Sequence, residues 1–106
     1  RDWSSDVCSS DLELEAARML TYKAATARER QERSTLEASM AKLAASEAAH
    51  RAADRAMQTC GGVGYSRHMP FEHIYRHHRR YRITEGAEEI QMRKVGQHLF
   101  GFGRKK

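Results

Sequence analysis

The feature that most constrains this fold is a long N-terminal stretch without helix breakers, because neither glycine nor proline occurs before Gly61 in the 106-residue chain. From about Asp11 to Arg33 the sequence consists largely of Ala, Glu, Arg and Leu, which are good helix formers. Apolar residues recur there at helical spacing, so one face of the helix can be buried. The predicted inner face comprises Leu12, Ala16, Met19 or Leu20, Ala24 and Ala27.

A second helix is predicted directly after the first, from Ser34 to Cys60. Its start has the Ser-x-x-Glu form, in which Ser34 caps a backbone N–H and Glu37 reaches back. Gly61 is predicted to end it in a left-handed cap conformation. The predicted apolar face comprises Leu36, Met40, Leu43, Ala44, Ala48 and Met57. Two long helices with a short joint, rich in alanines that allow close approach, predict an antiparallel bundle.

Shorter elements are predicted in the last part of the chain. The glycines from Gly61 to Gly64 form a turn, and Pro70 suits the first turn of a helix over 71–81. That helix turns Phe71, Ile74, Tyr75 and His78 inward. Residues 83–87 are predicted to be irregular, and a last helix runs over 88–100 with Ile90, Val95 and Leu99 inward. The fold class is therefore all-α, a single helical domain with a modest core.

The first twelve residues differ from the rest, with serines and aspartates and no helical apolar period. The string RDWSSDVCSSDL resembles a translated sequencing-adapter artefact. It is therefore predicted to be a non-native leader that packs against nothing. The domain is expected to occupy residues 13–101, and residues 102–106 form a basic tail.

Positive charge is concentrated in a basic block between residues 73 and 82 and in the tail, within a net charge of +5. The block could contact nucleic acid phosphates, but its interleaved aromatic residues fit a buried face equally well. His73 and His77 have metal-ligand spacing on a helix, yet no third ligand is evident and no metal site is predicted. Cys60 is predicted to be a small buried residue. No apolar run reaches the roughly 20 residues of a membrane span, and a soluble cytoplasmic protein is expected.

Two short motifs carry the functional information. They are QTCGGVGY, over residues 58–65, and ITEGAEEIQ, over residues 83–91, with Glu85 following Gln58 by 27 residues. In this order and at this spacing they resemble the end of the C-terminal helical domain of the acyl-CoA dehydrogenase family. The resemblance runs from about Leu12 to about Phe100. It implies a truncated C-terminal bundle that is not active alone, because the family's complete enzymes also have an N-terminal helical domain and a β-domain.

The resemblance implies α,β-dehydrogenation of an acyl-CoA thioester, with Glu85 as the general base. A carboxylate serves as such a base when it is held within hydrogen-bond reach of the proton in a water-poor site. FAD is the implied cofactor, since side chains offer no comparable two-electron acceptor. Gly86 is expected to line the substrate site, because glycine lets the backbone pass close to the thioester. The backbone N–H of Glu85 also helps polarise the thioester carbonyl in this family.

The resemblance also implies cofactor contacts. Gln58, Gly61 and Gly62 correspond to the segment that reaches the FAD of a neighbouring subunit, and Ala87 and Glu89 to positions that touch FAD. The family usually has threonine or serine where this chain has Ala87, so one hydroxyl contact is lost or replaced by backbone. A homo-oligomer, either a dimer or a tetramer, and an electron-transfer partner are expected. The alternative hypothesis is a catalytically inactive helical interaction module of the same fold.

Overall fold

The computed structural model describes residues 3–101, in which four α-helices and one 3₁₀ turn follow one another. The helices are α1 (Trp3–Glu29), α2 (Thr35–Tyr65), α3 (Phe71–Arg79) and α4 (Glu88–Phe100), and the 3₁₀ turn is Arg80–Arg82. No strand occurs within these residues. The all-α prediction is confirmed, and so are the bounds of the last helix and the irregular stretch at residues 83–87. The predicted basic tail at residues 102–106 lies outside the described residues.

Helix α2 is the central element, since α1, α3 and α4 all pack against it. Late residues of α2 meet early residues of α1, which makes this pair antiparallel. Arg51 Nε lies 3.2 Å from a carboxylate oxygen of Glu13, and Arg55 Nη1 donates to Ser10 Oγ at 2.8 Å. The prediction that the first twelve residues pack against nothing is therefore wrong at Ser10. That they are a non-native leader stays a prediction.

The contact between the helices is made by small side chains. The buried apolar residues of the described part of the chain are Ala17, Ala41, Ala48 and Ala53. Ser39, Ser46 and Gly64 are buried on α2 as well. Side chains of this size let helix backbones approach closely, as the alanine content of α2 predicted.

Several residues predicted to be buried are exposed. On α1, Leu12 is 72% and Met19 57% exposed, while Ala17 is buried instead. Periodicity identifies apolar positions but not which of them faces the neighbouring helix. The predicted inner face is therefore wrong in the first part of α1, whereas Leu20, Ala24 and Ala27 further along are half-buried as predicted. On α4, Ile90 and Leu99 are exposed although they were predicted to face inward.

The same correction applies to two residues of α2. Cys60, near its end, is exposed rather than buried, and Met40, near its start, is 37% exposed. By contrast, Phe71, Ile74, Tyr75 and His78 of α3 are half-buried in the direction predicted. None of the helices within residues 3–101 is both long and apolar enough to cross a membrane.

The two helix joints differ in detail from the prediction. Helix α1 begins at Trp3 rather than Asp11 and ends at Glu29 rather than Arg33, where Gln31 takes a φ of 58°. Ser34 is the N-cap of α2, but its ψ of 17° lies outside the β-region and its side chain makes no capping hydrogen bond. A serine oxygen reaches the first-turn N–H groups only when the N-cap backbone is extended. The predicted capping box therefore does not form.

Gly61 bends α2 instead of ending it. Its φ of 61° and ψ of −143° interrupt the helix, which then continues for one turn to Tyr65. This region of backbone space is essentially restricted to glycine, because a Cβ atom clashes with the adjacent peptide. The position of the break and its positive φ are therefore as predicted, but the left-handed cap is not, since ψ is −143° and helical structure resumes immediately.

Replacing Gly61 by Ala should lower the free energy of unfolding by about 1–3 kcal/mol, because alanine is strained at this φ and ψ. The matched control is Gly62→Ala, since Gly62 has helical dihedrals and open space where a Cβ would stand. That change should be neutral or stabilising by up to about 1 kcal/mol. Urea unfolding of the two variants measures the difference, and equal destabilisation would show that the kink does not depend on the positive φ.

Candidate functional site

The predicted site residues fall into two groups at different places on the bundle. Glu85, Gly86 and Ala87 form the connection from the 3₁₀ turn to α4, and Glu89 lies in the first turn of α4. Gln58, Gly61 and Gly62 lie at the end of α2. The side chains of Glu85, Glu89 and Gln58 are exposed, whereas Gly86 and Ala87 are half-buried.

Glu85 occupies a strained backbone conformation. Its φ is 55°, and Gly86 directly after it has a φ of 95°. A residue other than glycine with positive φ costs free energy and persists only where the surroundings fix it. The connection containing Glu85 is therefore a defined turn, called the Glu85 turn below and comprising residues 83–87.

Two side chains outside the Glu85 turn bind its backbone. Lys42 of α2 donates from Nζ to the carbonyl oxygens of Tyr81 at 3.0 Å and Gly86 at 2.8 Å. Gln91 of α4 donates from Nε2 to the carbonyl oxygens of Gly86 at 3.1 Å and Glu85 at 3.4 Å. Gly86 has a φ of 95°, which side chains rarely adopt, and a Cβ on it would also stand 2.6 Å from Gln91 Nε2, so glycine is favoured at this position of the turn.

An ion pair fixes the ends of the Glu85 turn. Arg82 donates from Nε and Nη2 to the two carboxylate oxygens of Glu88, both at 2.7 Å. This bidentate geometry is the strong form of a charge-assisted hydrogen bond. It lowers the pKa of Glu88 and raises that of Arg82. The sequence did not reveal this ion pair, because a glutamate in the first turn of a helix is already explained by stabilisation of the helix terminus.

His50 is a residue near the site that the sequence analysis missed. Its ring centroid lies 4.7 Å from that of Tyr75 on α3, and its Nδ1 is buried without a hydrogen-bond partner in the described residues. Burial lowers the pKa of His50, and the charges of Arg82 and Arg79 act in the same direction. The neutral imidazole is therefore favoured in the folded chain.

The N-terminus of α4 has no side-chain cap. Ala87 is the N-cap residue, with φ −55° and ψ 160°, and it makes no side-chain capping hydrogen bond. A serine or threonine here would use its hydroxyl for one of the first N–H groups of the helix. With alanine, N–H groups at this terminus lack a side-chain acceptor and can serve an anion instead.

The two groups of site residues are far apart within one chain. Lys42, which contacts the Glu85 turn, and Gln58 lie sixteen residues apart on α2. At 1.5 Å per residue this separation is roughly 24 Å along the helix axis. A single reacting centre on one chain therefore cannot use Glu85 and Gln58 together.

The basic block forms a stacked surface on α3. The rings of His73 and His77 lie 5.8 Å apart, and His77 meets Tyr81 edge-on at 5.8 Å. Among residues 3–101, no point gathers three or more His, Cys, Asp or Glu side chains in a metal-binding arrangement. The two-histidine spacing on the helix thus corresponds to ring stacking in this structure.

Comparisons with known proteins agree with this arrangement. Residues 4–100 match the family model described as "Acyl-CoA dehydrogenase, C-terminal domain". The chain therefore belongs to the acyl-CoA dehydrogenase family, and the resemblance of the two motifs is confirmed.

Individual relatives differ in substrate. The chain is 50% identical to the mitochondrial short-chain specific acyl-CoA dehydrogenase of Bos taurus over 88 residues, 83% of this chain and 21% of that protein. It is 38% identical to the (R)-benzylsuccinyl-CoA dehydrogenase of Thauera aromatica over 105 residues, 98% of this chain and 25% of that protein. The chain thus spans about a fifth to a quarter of the length of these relatives.

A solved structure shows the same fold. The FAD complex of PigA superposes with a TM-score of 0.88 at 24% identity, covering 92% of this chain and 26% of that chain. Helix order and packing are therefore shared with a much larger protein.

Stability between about pH 8 and pH 5 should depend on His50. Because its pKa is lowered in the folded chain, the unfolded chain binds a proton more readily, and stability falls as the pH decreases below 6.5. His50→Gln should flatten this fall. Part of the slope should remain, since Arg80 lowers the pKa of His77 as well. Urea midpoints across this range measure the effect, and an unchanged slope in His50→Gln would contradict it.

Proposed function

We propose that this chain supplies the catalytic base, Glu85, of an FAD-dependent acyl-CoA dehydrogenase that carries out α,β-dehydrogenation of an acyl-CoA thioester. The observation that carries the proposal is the Glu85 turn itself, in which a glutamate at φ 55° presents an exposed side chain beside a glycine at φ 95°. Family membership and the names of the relatives support the reaction class.

In this mechanism Glu85 takes a proton from the carbon next to the thioester carbonyl. The backbone N–H of the same residue helps to polarise that carbonyl, so that negative charge developing on its oxygen is stabilised. Gly86 leaves the backbone side of the site unobstructed. When bound, FAD supplies the two-electron acceptor for the hydride from the adjacent carbon. We expect a separate electron-transfer partner to accept these electrons.

The described residues fit FAD in two places. The uncapped N-terminus of α4 at Ala87 offers backbone N–H groups, which favour phosphate oxygens. Glu88 in that turn is paired with Arg82, which offsets part of its negative charge. At the end of α2, the amide of Gln58 is exposed, and Gly61 and Gly62 have open space beside them.

The separation of these two places supports an oligomeric enzyme. Since Gln58 lies roughly 24 Å along α2 from the residue that contacts the Glu85 turn, we assign Gln58, Gly61 and Gly62 to the FAD of a neighbouring subunit. Large exposed apolar side chains such as Tyr65, Leu12 and Phe100 also fit contacts with other domains or subunits. A dimer or a tetramer satisfies this arrangement.

One observation favours the alternative of a catalytically inactive helical interaction module. Ala87 removes the hydroxyl that the family usually places beside FAD. The uncapped backbone N–H groups at the same point compensate for the loss in our proposal. The alternative predicts that the intact protein carries no flavin, whereas our proposal predicts a flavin absorption spectrum.

Replacing Glu85 by Gln in the intact enzyme should slow the reduction of bound flavin by acyl-CoA by about 10²- to 10⁴-fold, the range typical of a positioned base. Substrate binding should change much less, because the amide occupies the same space. The control is Glu32→Gln, an exposed glutamate in the connection between α1 and α2. Stopped-flow absorbance measures both variants, and reduction of Glu85→Gln at the parental rate would place the base elsewhere.

The 106-residue chain alone should not bind FAD stoichiometrically. Its proposed contacts are exposed and lie in two distant groups, so one chain offers only part of a binding site. Equilibrium dialysis with FAD, followed by an absorption spectrum of the protein fraction, tests this expectation. A yellow one-to-one complex would contradict this expectation, because one chain would then supply a sufficient binding site for FAD.

A further inference from the structure

The Glu85 turn is held by donors from two helices, although none of its own side chains is buried. Its strained residue is Glu85, and the carbonyl oxygens that follow the strain, those of Glu85 and Gly86, both accept hydrogen bonds. Strain of this kind persists only where neighbouring groups determine the backbone. The donors on these carbonyls are therefore candidates for the groups that set the direction of the Glu85 side chain.

Lys42 bridges the Glu85 turn and the 3₁₀ turn that precedes it. Its single ammonium group donates to Tyr81, before the turn, and to Gly86, within it, although α2 is about forty residues away in sequence. Because the donor is charged, these hydrogen bonds are stronger than those between neutral groups. Lys42 therefore fixes the distance across the turn and ties it to the central helix.

Gln91 holds the turn from the other side. It is 4% exposed, and its Nε2 donates to the Gly86 and Glu85 carbonyl oxygens. Loss of this donor would leave both carbonyls with fewer partners in a part-buried place, which favours rearrangement of the backbone. Lys42 and Gln91 thus converge on the carbonyl oxygen of Gly86.

We propose that Lys42 and Gln91 are positioning residues that hold the Glu85 turn in its left-handed conformation and so aim the carboxylate of Glu85 at its substrate. This inference rests on the proposed function of Glu85. If the turn relaxed to a right-handed or extended conformation, the Glu85 side chain would point in another direction. Misplacement of a reacting group by about 1 Å can cost on the order of 10²-fold in rate.

The first test is Lys42→Met in the intact enzyme, which keeps much of the side-chain length and removes the donors. Flavin reduction at saturating acyl-CoA should slow by about 10- to 100-fold, while flavin content and the substrate Kd stay close to the parental values. Lys42→Arg should recover part of the rate, because a guanidinium can also donate to two carbonyls. Lys94→Met, at an exposed position of α4, controls for the loss of one charge.

A double-mutant cycle separates positioning from general damage. If Lys42 acts through Glu85, Lys42→Met should slow flavin reduction little further in the Glu85→Gln background, since the base is already absent. An equal additional loss in that background would overturn the proposal. The proposal would also be overturned if Lys42→Met reduced flavin at the parental rate while Glu85→Gln reduced it slowly. That result would leave the proposed function of Glu85 intact.

A readout without turnover completes the test. Amide hydrogen exchange over residues 83–87 should become faster in Lys42→Met and in Gln91→Met than in the Lys94→Met control. If Lys42→Met does not fold, Gln91→Met takes its place in the cycle and in the exchange measurement. Exchange in the turn that is unchanged in the folded variants would show that these side chains do not hold it.

Discussion

The close packing of three helices against α2 is the constraint on which the rest of the structure depends. Its buried positions carry alanine, serine and glycine, so neighbouring backbones come near. Because this separation is short, Lys42 on the same helix reaches the carbonyl oxygens of Tyr81, before the Glu85 turn, and of Gly86, within it. A larger side chain at Ala41 or Ala48 would separate the helices, and it would act on the candidate site through this distance without touching it.

The described chain buries few of its large apolar side chains. Its buried apolar residues are alanines, whereas Tyr65 is 76%, Leu12 72% and Leu99 65% exposed. Hydrophobic stabilisation scales with the apolar area removed from water, so these side chains contribute little in the chain as described. Their exposure agrees with a unit whose relatives are four to five times longer.

Much of the fold could be predicted from local sequence signals. Helix formers without Gly or Pro gave the first two helices, Gly61 gave the break, and residues 88–100 were assigned with the bounds observed. The capping box at Ser34 failed because its ψ of 17° lies outside the β-region that N-cap residues typically adopt. The predicted inner faces of α1 and α4 were right only in part, since Leu12, Ile90 and Leu99 are exposed. Apolar periodicity cannot distinguish a face packed within the chain from one presented elsewhere.

The candidate site, like the fold, could be predicted from the sequence only in part. Its residues could be recognised from the two motifs, since both carry glycine and charge at characteristic spacing. The contacts of Lys42, Gln91 and His50 could not. Those of Lys42 and His50 join segments that are distant in the sequence, and Gln91 is a common residue without a local signature. His50 has no motif around it, and its lowered pKa follows from burial beside Tyr75 and from the nearby charges of Arg82 and Arg79, which only the fold brings there.

Charge at the start of α4 shows why these unrecognised contacts matter. Two glutamates occupy the first turn of the helix, where carboxylates would ordinarily satisfy the helix dipole and repel a phosphate. Glu88 instead accepts hydrogen bonds from Arg82 at both carboxylate oxygens, so its charge is paired with that of a residue in the 3₁₀ turn. Ala87, the N-cap residue, has no hydroxyl, so its side chain accepts no hydrogen bond from the first backbone N–H groups of α4. Ala87 thus lacks the hydroxyl expected to contact the cofactor, but it leaves the N-terminal N–H groups of α4 accessible to an anion. The ion pair between Arg82 and Glu88 reduces the repulsion that such an anion would meet.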